Sequence, residues 1–185
     1  MSAPGPRRRR RPPETEIVEA ARTHLEAAGY RVWVDPDGGS YFDLVARRGE
    51  EVGLVEAKVA GAREVLQQAL RRRAWGNWVA VALASDPSAR ALADRTRGTR
   101  AEPVGVWSVR EGRVSVVRAA RAWPVEKDAD PFAAHRARFH RLLDALESGE
   151  LPASVRWEGV VREVRRASGG RGFAEWRLDE PGPEP

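Results

Sequence analysis

Residues 43–59 read DLVARRGEEVGLVEAKV, which is two apolar stretches separated by a short polar turn. Val, Leu and Ala dominate both stretches, as expected of buried β-strands, and the Arg-Arg-Gly-Glu at 47–50 is typical of a hairpin turn. The sequence therefore predicts paired strands over residues 41–46 and 52–59. The hairpin brings the beginning of the first strand close to the end of the second.

Charged residues interrupt the second of these strands on one face only. Because side chains alternate along a strand, Glu56 and Lys58 lie on the same face, about 6.5 Å apart along the chain. Three apolar neighbours point to the opposite face: Val55, Ala57 and Val59. Asp43 lies across the hairpin on the partner strand. The sequence thus predicts two carboxylates and one ammonium group at one edge of a buried sheet.

The pattern on either side of the hairpin predicts alternating helices and strands. Helical spacing of apolar residues covers three ranges, at 14–28, 62–75 and 87–97. Further β-type runs cover four ranges, at 30–34, 78–84, 104–109 and 113–117. The order α-β-β-β-α-β-α-β predicts an α/β fold with a mixed central sheet flanked by helices.

The two ends of the chain differ in composition from the middle. We predict that the core domain spans residues 14–127 and that residues 1–13, rich in Pro, Gly and Arg, form a disordered basic arm. An amphipathic helix beginning near Pro131, with a strand-like stretch after it, predicts a small C-terminal α+β module at 128–178. A disordered tail is predicted at 179–185.

Composition excludes several classes of protein. The 185 residues include no cysteine, which excludes a disulfide framework, thiolate metal sites and a cysteine nucleophile. The longest purely apolar run, at 78–84, is far shorter than the ~20 residues needed to cross a bilayer. We therefore expect a cytoplasmic protein that has no membrane partner.

The net charge of +5 is located at the amino-terminal end. Residues 1–13 carry five arginines and no acid, so the rest of the chain is neutral. Within it, residues 14–57 carry ten acids against four bases and residues 58–100 carry nine bases against three acids. Lys58 is one of only two lysines among 32 basic residues, which favours a specific need for a compact ammonium group there.

Two carboxylates beside an ammonium group suit the hydrolysis of a phosphodiester. Carboxylate and carbonyl oxygens are ligands that Mg²⁺ and Mn²⁺ prefer, and a bound cation polarises the phosphate and activates a water molecule. The ammonium group orients that water or stabilises the charge that develops on phosphorus. The alternative is an ordinary exposed Glu–Lys pair. The apolar neighbours of Glu56 favour the site, because unpaired charge is costly to bury.

The offset of thirteen positions from Asp43 to Glu56, followed by Lys58 two positions later, resembles the PD-(D/E)XK nuclease superfamily. The local sequence is similar to that of archaeal Holliday junction resolvases, VRR-NUC nucleases and Mrr-type nucleases over about residues 14–85. The resemblance implies a restriction-endonuclease-like core. It also implies that Asp43, Glu56 and the Ala57 carbonyl bind the metal and that Lys58 is the catalytic lysine.

The resemblance has one departure and one open position. Phe42 stands where the family usually has proline. The family usually adds a glutamate from the first helix, and Glu14, Glu16 and Glu19 are the candidates here. Glu14 falls on the sheet-facing stripe, three residues before Ile17, so we predict that Glu14 joins the site. Its alternative role is a first-turn acid that complements the helix dipole.

Four residues on the helix after the lysine are predicted to contact DNA. Some relatives carry a glutamine on this helix; of Gln67 and Gln68, we favour Gln68. Arg71, Arg72 and Arg73 at the end of the helix could hold a phosphate backbone. They could equally be C-terminal charges that the helix dipole favours.

We therefore predict a Mg²⁺-dependent deoxyribonuclease, with Mn²⁺ as a second usable cation, that hydrolyses phosphodiester bonds of duplex or branched DNA as an endonuclease. A homodimer would let a protein with one site per chain cut both strands of a duplex. The alternative function is that of a catalytically inactive nuclease-fold protein that binds DNA or a protein partner.

Overall fold

The computed structural model describes residues 12–34, 42–123 and 133–149. The helices of these residues are α1 (Glu14–Ala27), α2 (Ala62–Arg72), α3 (Asp86–Arg95) and α4 (Ala133–Ser148). The strands are β1 (Arg31–Val34), β2 (Leu44–Arg48), β3 (Glu51–Lys58), β4 (Trp78–Leu83), β5 (Gly105–Arg110) and β6 (Arg113–Arg118). A single 3-10 turn, Arg73–Trp75, follows α2.

The six strands form one mixed sheet in chain order, from β1 at one edge to β6 at the other. The adjacent pairs β1–β2 and β2–β3 are antiparallel, β3, β4 and β5 are parallel, and β6 is antiparallel to β5. Parallel neighbours need crossover connections, which α2 and α3 provide. The mixed α/β fold is confirmed, and the elements follow the predicted order, with β6 as one strand more than that order contains. The finer likeness to a restriction endonuclease stays a prediction.

The hairpin between β2 and β3 is tighter than predicted. Arg47 and Arg48 belong to β2, where Arg48 pairs with Glu51, so the four-residue turn expected at 47–50 is wrong. Only two residues lie between the strands. Gly49 adopts a φ of 59°, a left-handed conformation that glycine reaches without steric cost, which explains how so short a turn can close.

Each face of the sheet has its own apolar cluster, because the side chains of the buried strands alternate. The residues Val55 and Ala57 of β3 point to the face that α1 covers. Leu54 of the same strand points to the opposite face, which α2, α3 and α4 cover. The charged residues predicted at the end of β3 therefore lie where a central strand leaves a sheet that is covered on both faces.

Helix α4 packs into the same apolar cluster as Leu54, against the 3-10 turn that follows α2. Phe139 is fully buried, with its ring centroid 5.6 Å from that of Phe42 and 5.9 Å from that of Trp75. Arg47 of β2 reaches the same helix through Asp144 at 2.7 Å. The helix that the sequence assigned to a C-terminal module thus shares the core of the sheet. The module at 128–178 itself stays a prediction, because residues 124–132 and 150–178 lie outside the described part.

Other expectations about the chain ends also fall outside the described residues. These are the basic arm, apart from residues 12 and 13, and the tail at 179–185. Among the helices that the structure describes, none has the length and apolar character needed to cross a membrane.

Candidate active site

The side chain of Asp43 extends the pairing of β2 with β3. Backbone pairing between these strands ends at Leu44 and Val55. Just beyond it, Oδ2 of Asp43 accepts a hydrogen bond of 2.7 Å from the backbone N–H of Ala57. The carboxylate thus takes the place of a backbone acceptor at the point where the two strands separate. This bond holds Asp43 against β3, one residue from Glu56.

Glu56 is a buried carboxylate on the face of β3 that α2 covers. Glu56 as a whole is 2% exposed, and its Oε1 lies 2.8 Å from Nε of Arg72, the last residue of α2. The contact is an ion pair and not a directed hydrogen bond, because the N–H direction misses the oxygen. Burial raises the pKa of Glu56 to about 8, although the charge of Arg72 lowers it. Asp43 and Glu14 contribute to the rise, and Lys58 opposes it.

Lys58, the last residue of β3, reaches the beginning of α1. Its Nζ lies 3.6 Å from Oε1 of Glu14, with side-chain exposures of 30% and 42%. Helix α1 covers the sheet face opposite to Glu56, so this pair meets around the carboxyl end of the strand. The four predicted site residues Glu14, Asp43, Glu56 and Lys58 are therefore gathered at one end of β3.

The structure also distinguishes between the three glutamates of α1 that were candidates for the site. Glu14 contacts Lys58, as described above. Glu19 lies on the outer side of α1 and pairs with Arg22. Glu16 points to a neighbouring cavity and lines its wall. The preference for Glu14 thus agrees with the observed contact, while its role in a reaction stays a prediction.

A cavity of about 500 Å³ lies beside the Glu14–Lys58 pair. Its walls are formed by residues 59–61 after β3, by residues 84–88 from the end of β4 into α3, and by residues 109–111 at the end of β5, together with Pro12 and Glu16. The carboxyl ends of parallel strands are the usual location of ligand sites in α/β sheets, and the volume is in the ordinary range for such sites. Val59, which follows β3, belongs to this lining, whereas the four site residues do not.

The four predicted DNA-binding residues do not form one exposed patch. Arg71 is exposed, and Gln68 is half-buried on α2. Arg72 points inward to the buried carboxylate. The guanidinium of Arg73 lies 4.7 Å from the ring centroid of Trp123, and burial lowers its pKa to about 10. Contact with DNA stays a prediction for all four, and Arg71 has the exposure that such a contact needs.

The oxygen atoms at the end of β3 are of the type that binds a hard divalent cation, although they do not form a complete coordination sphere. Among the described residues, no three acidic or histidine side chains converge closely enough to hold a metal ion. The carboxylates of Asp43 and Glu56 meet here, and the carbonyl of Ala57 is the predicted third donor. Oε1 of Glu56 is buried without a directed hydrogen bond, so it can accept a further ligand. Oxygen donors of this kind are those that Mg²⁺ and Mn²⁺ prefer.

Sequence reasoning missed the inward contact of Arg72. It placed this arginine on a DNA-facing surface together with its two neighbours. The signal was present in the helical spacing, because Arg72 follows the buried residues Val65 and Ala69 by seven and three positions. That spacing puts all three on the inner face of α2, directly over the strand that carries Glu56.

Comparison with known proteins does not extend this description. No protein-family model and no curated protein matches the chain. A solved structure of a protein of unknown function from Silicibacter pomeroyi is similar, with 17% sequence identity and a TM-score of 0.47. The match covers 75% of this chain and 94% of that one.

Proposed function

We propose that the chain is a metal-dependent endonuclease of the PD-(D/E)XK type that hydrolyses phosphodiester bonds of DNA. The observation that carries this proposal is the buried carboxylate of Glu56, at the end of β3 between the held carboxylate of Asp43 and the Lys58–Glu14 pair. A buried acid in an otherwise apolar strand is costly, so its presence beside three more charged groups favours a catalytic role.

Asp43 and Glu56 would hold the cation, with the Ala57 carbonyl as a further oxygen. Asp43 is oriented for this by its bond to the Ala57 N–H, which leaves its carboxylate facing the end of β3. When bound, a divalent cation would polarise the scissile phosphate and lower the pKa of an attacking water. Burial of Glu56 keeps bulk water from competing for its oxygen atoms, which strengthens its interaction with a positive charge.

Lys58 and Glu14 would act on the substrate side of the site. The side chain of Lys58 is 30% exposed, so its ammonium group would contact a phosphate oxygen of a bound substrate and stabilise the charge that develops on it. Glu14, 3.6 Å away, pairs with this ammonium group and holds it near the end of β3. The pair thus provides a positioned positive charge.

Two substitutions test the proposal directly. Asp43→Asn retains an oxygen that can accept the Ala57 N–H bond but removes the negative charge, and Lys58→Met retains the stem but removes the ammonium. We expect each to lower Mg²⁺-dependent cleavage by at least about 10²-fold while the unfolding midpoint changes little. The assay uses linear, branched and single-stranded DNA with Mg²⁺, Mn²⁺ or EDTA.

Glu19→Gln is the matched control, because Glu19 is an acid of α1 that pairs with Arg22 on the outer side of the helix. This variant should cleave like the wild type. Cleavage that survives both Asp43→Asn and Lys58→Met, or that proceeds in EDTA, would contradict the proposal.

The alternative function, a catalytically inactive nuclease-fold protein that binds DNA or a protein partner, is favoured by one observation. Arg72 already lies 2.8 Å from Oε1 of Glu56, where a cation would be bound in an active enzyme. Such a protein would bind DNA with a steep dependence on salt and with no effect of EDTA, and it would cleave none of the substrates. If the enzyme is active on duplex DNA, one site per chain favours a homodimer, which the mass in solution with and without DNA would reveal.

A further inference from the structure

Arg72 occupies an unusual place for an arginine at the end of a helix. Its side chain is 12% exposed and its Nε lies 2.8 Å from Oε1 of Glu56, whose side chain is 3% exposed. Arg71, one position earlier, is exposed to solvent. Arginine at the last turn of a helix would ordinarily interact with the helix dipole and with water. Burial against one carboxylate therefore points to a role at Glu56.

The contact explains how the protein tolerates a buried carboxylate. Removing a charge from water is unfavourable unless an opposite charge or hydrogen bonds replace the water. The positive charge of Arg72 lies against Glu56 and offsets part of this cost. The same charge repels any second cation that approaches the same oxygen, because electrostatic repulsion is strong where water is excluded.

The geometry of the ion pair is loose, although its distance is short. The Nε–H direction misses Oε1 of Glu56, so this contact is an ion pair and not a directed hydrogen bond. Arg72 is also the last residue of α2, followed by the 3-10 turn. An ion pair that lacks a directed hydrogen bond is weaker than one that has it, so a cation can compete for this oxygen.

We propose that Arg72 is the resident counter-ion of Glu56, and that it leaves the carboxylate for a phosphate group of the substrate when a divalent cation binds at Glu56. The proposal rests on the proposed function, since it assigns Glu56 to the cation. A planar guanidinium matches the geometry of phosphate better than an ammonium does. The exchange couples the two ligands: the cation frees Arg72 for phosphate, and the phosphate draws Arg72 away from the cation site. By thermodynamic linkage, each ligand strengthens the binding of the other.

The first test is calorimetric titration of the full chain with Ca²⁺, at about pH 9 so that Glu56 is ionised. Removing the competing charge in Arg72→Gln should tighten Ca²⁺ binding roughly tenfold or more. A short DNA duplex should tighten Ca²⁺ binding to the wild type by more than it does to Arg72→Gln. Arg71→Gln, which removes the exposed neighbour, is the matched control and should behave like the wild type in both measurements.

The second test is read on the wild type, and a substitution serves only to assign the signal. The Nε–H signal of Arg72 in an NMR spectrum of the wild type, assigned with Arg72→Lys, should shift on addition of Ca²⁺ and shift again on addition of the duplex. An Arg72 signal that is unchanged at saturating Ca²⁺ would overturn the proposal, as would Ca²⁺ affinity that is equal in Arg72→Gln and Arg71→Gln.

A third variant, Glu56→Gln, separates this proposal from the proposed function. If the wild type binds Ca²⁺ and Glu56→Gln does not, the cation site exists, and the Arg72 results then decide the exchange alone. If the wild type binds no Ca²⁺, or if Glu56→Gln binds it equally well, both the cation site and the exchange are overturned.

Discussion

At the scale of single residues, the balance of charge around Glu56 governs the site. Burial favours the protonated form of its carboxyl group, and the pKa rises to about 8 even though Arg72 lies against it. The native protein without a cation therefore keeps a proton that the unfolded chain, with an ordinary glutamate pKa near 4.5, releases. Stability and cation binding are both linked to this one proton.

The resulting pH dependence can be measured by urea unfolding in EDTA. Between about pH 4.5 and pH 8 the native state holds more protons at Glu56 than the unfolded state, so the free energy of unfolding should fall as pH rises. We expect a loss on the order of a few kcal/mol across this window. In Glu56→Gln this pH-dependent loss of unfolding free energy should vanish. Saturating Mg²⁺ should restore the stability of the wild type near pH 8. Equal pH profiles for the wild type and Glu56→Gln would contradict the expected shift.

At the scale of secondary-structure elements, the pairing of β3 with β4 depends on one glycine. Gly53 pairs with Trp78, and the Trp78 ring lies over it so closely that a Cβ there would be 1.9 Å from Cζ2. Trp78 is itself held by the rings of Tyr30 and Trp107, so it has little room to move. The two central strands can approach with this register because position 53 has no side chain.

We therefore expect Gly53→Ala to destabilise the protein by about 2–3 kcal/mol, the usual cost of overpacking a core. The double variant Gly53→Ala/Trp78→Leu removes the obstructing ring, so its loss of stability should be smaller than the sum of the two single losses. Urea unfolding of the four proteins gives the coupling. Strict additivity would mean that the ring does not confine position 53.

Helix α4 is held to the rest of the molecule by buried apolar side chains, of which Phe139 is the largest. This side chain is fully buried between Phe42, which directly precedes Asp43, and Trp75. Phe139→Ala should cost about 3–5 kcal/mol of stability, the usual range for a buried phenylalanine. Arg141→Ala, at an exposed position of the same helix, is the control and should change stability by less than about 0.5 kcal/mol. If both variants are equally stable, α4 is not part of the core.

At the scale of the whole molecule, the net charge and the site are at different places in the sequence. The five arginines at 7–11 carry all of the +5, whereas the remaining chain is neutral. The acidic stretch 14–57 contributes three carboxylates to the site, and the basic stretch that follows begins with Lys58. The catalytic geometry that we propose and the general attraction to nucleic acid thus depend on different residues.

Replacing all five of these arginines with glutamine should weaken DNA binding without changing the cleavage rate at saturating DNA. Each phosphate contact contributes about 0.9 to the slope of log affinity against log salt, so the slope should fall by up to about 4 to 5. Fluorescence anisotropy over a range of KCl concentrations measures it. Arg90→Gln/Arg97→Gln is the control, since both arginines pair with acids of α3 on the surface. If the slope of log affinity against log salt is the same in the five-arginine variant as in the wild type, these arginines do not contact DNA.

Much of the sheet was predictable because its signals are local. The alternation around Val55 and Ala57 correctly placed these residues on the face opposite to Glu56. The turn at Gly49 was predicted, but with two residues too many. The turn propensity of single residues does not indicate how far the pairing of the two strands continues. The spacing of Asp43, Glu56 and Lys58 pointed to one edge of the sheet, where the structure gathers them.

What the sequence determined by itself was the order of helices and strands and the face on which each strand residue lies, because both follow from periodicity within a few positions of the chain. What only the tertiary structure decided was which distant groups meet: Arg72 with Glu56, Phe139 with Phe42, and Glu14 with Lys58. Such contacts depend on how the helices cross the sheet. The orientation of the helices on the sheet depends on the packing of both apolar faces together, so no short stretch of sequence determines it.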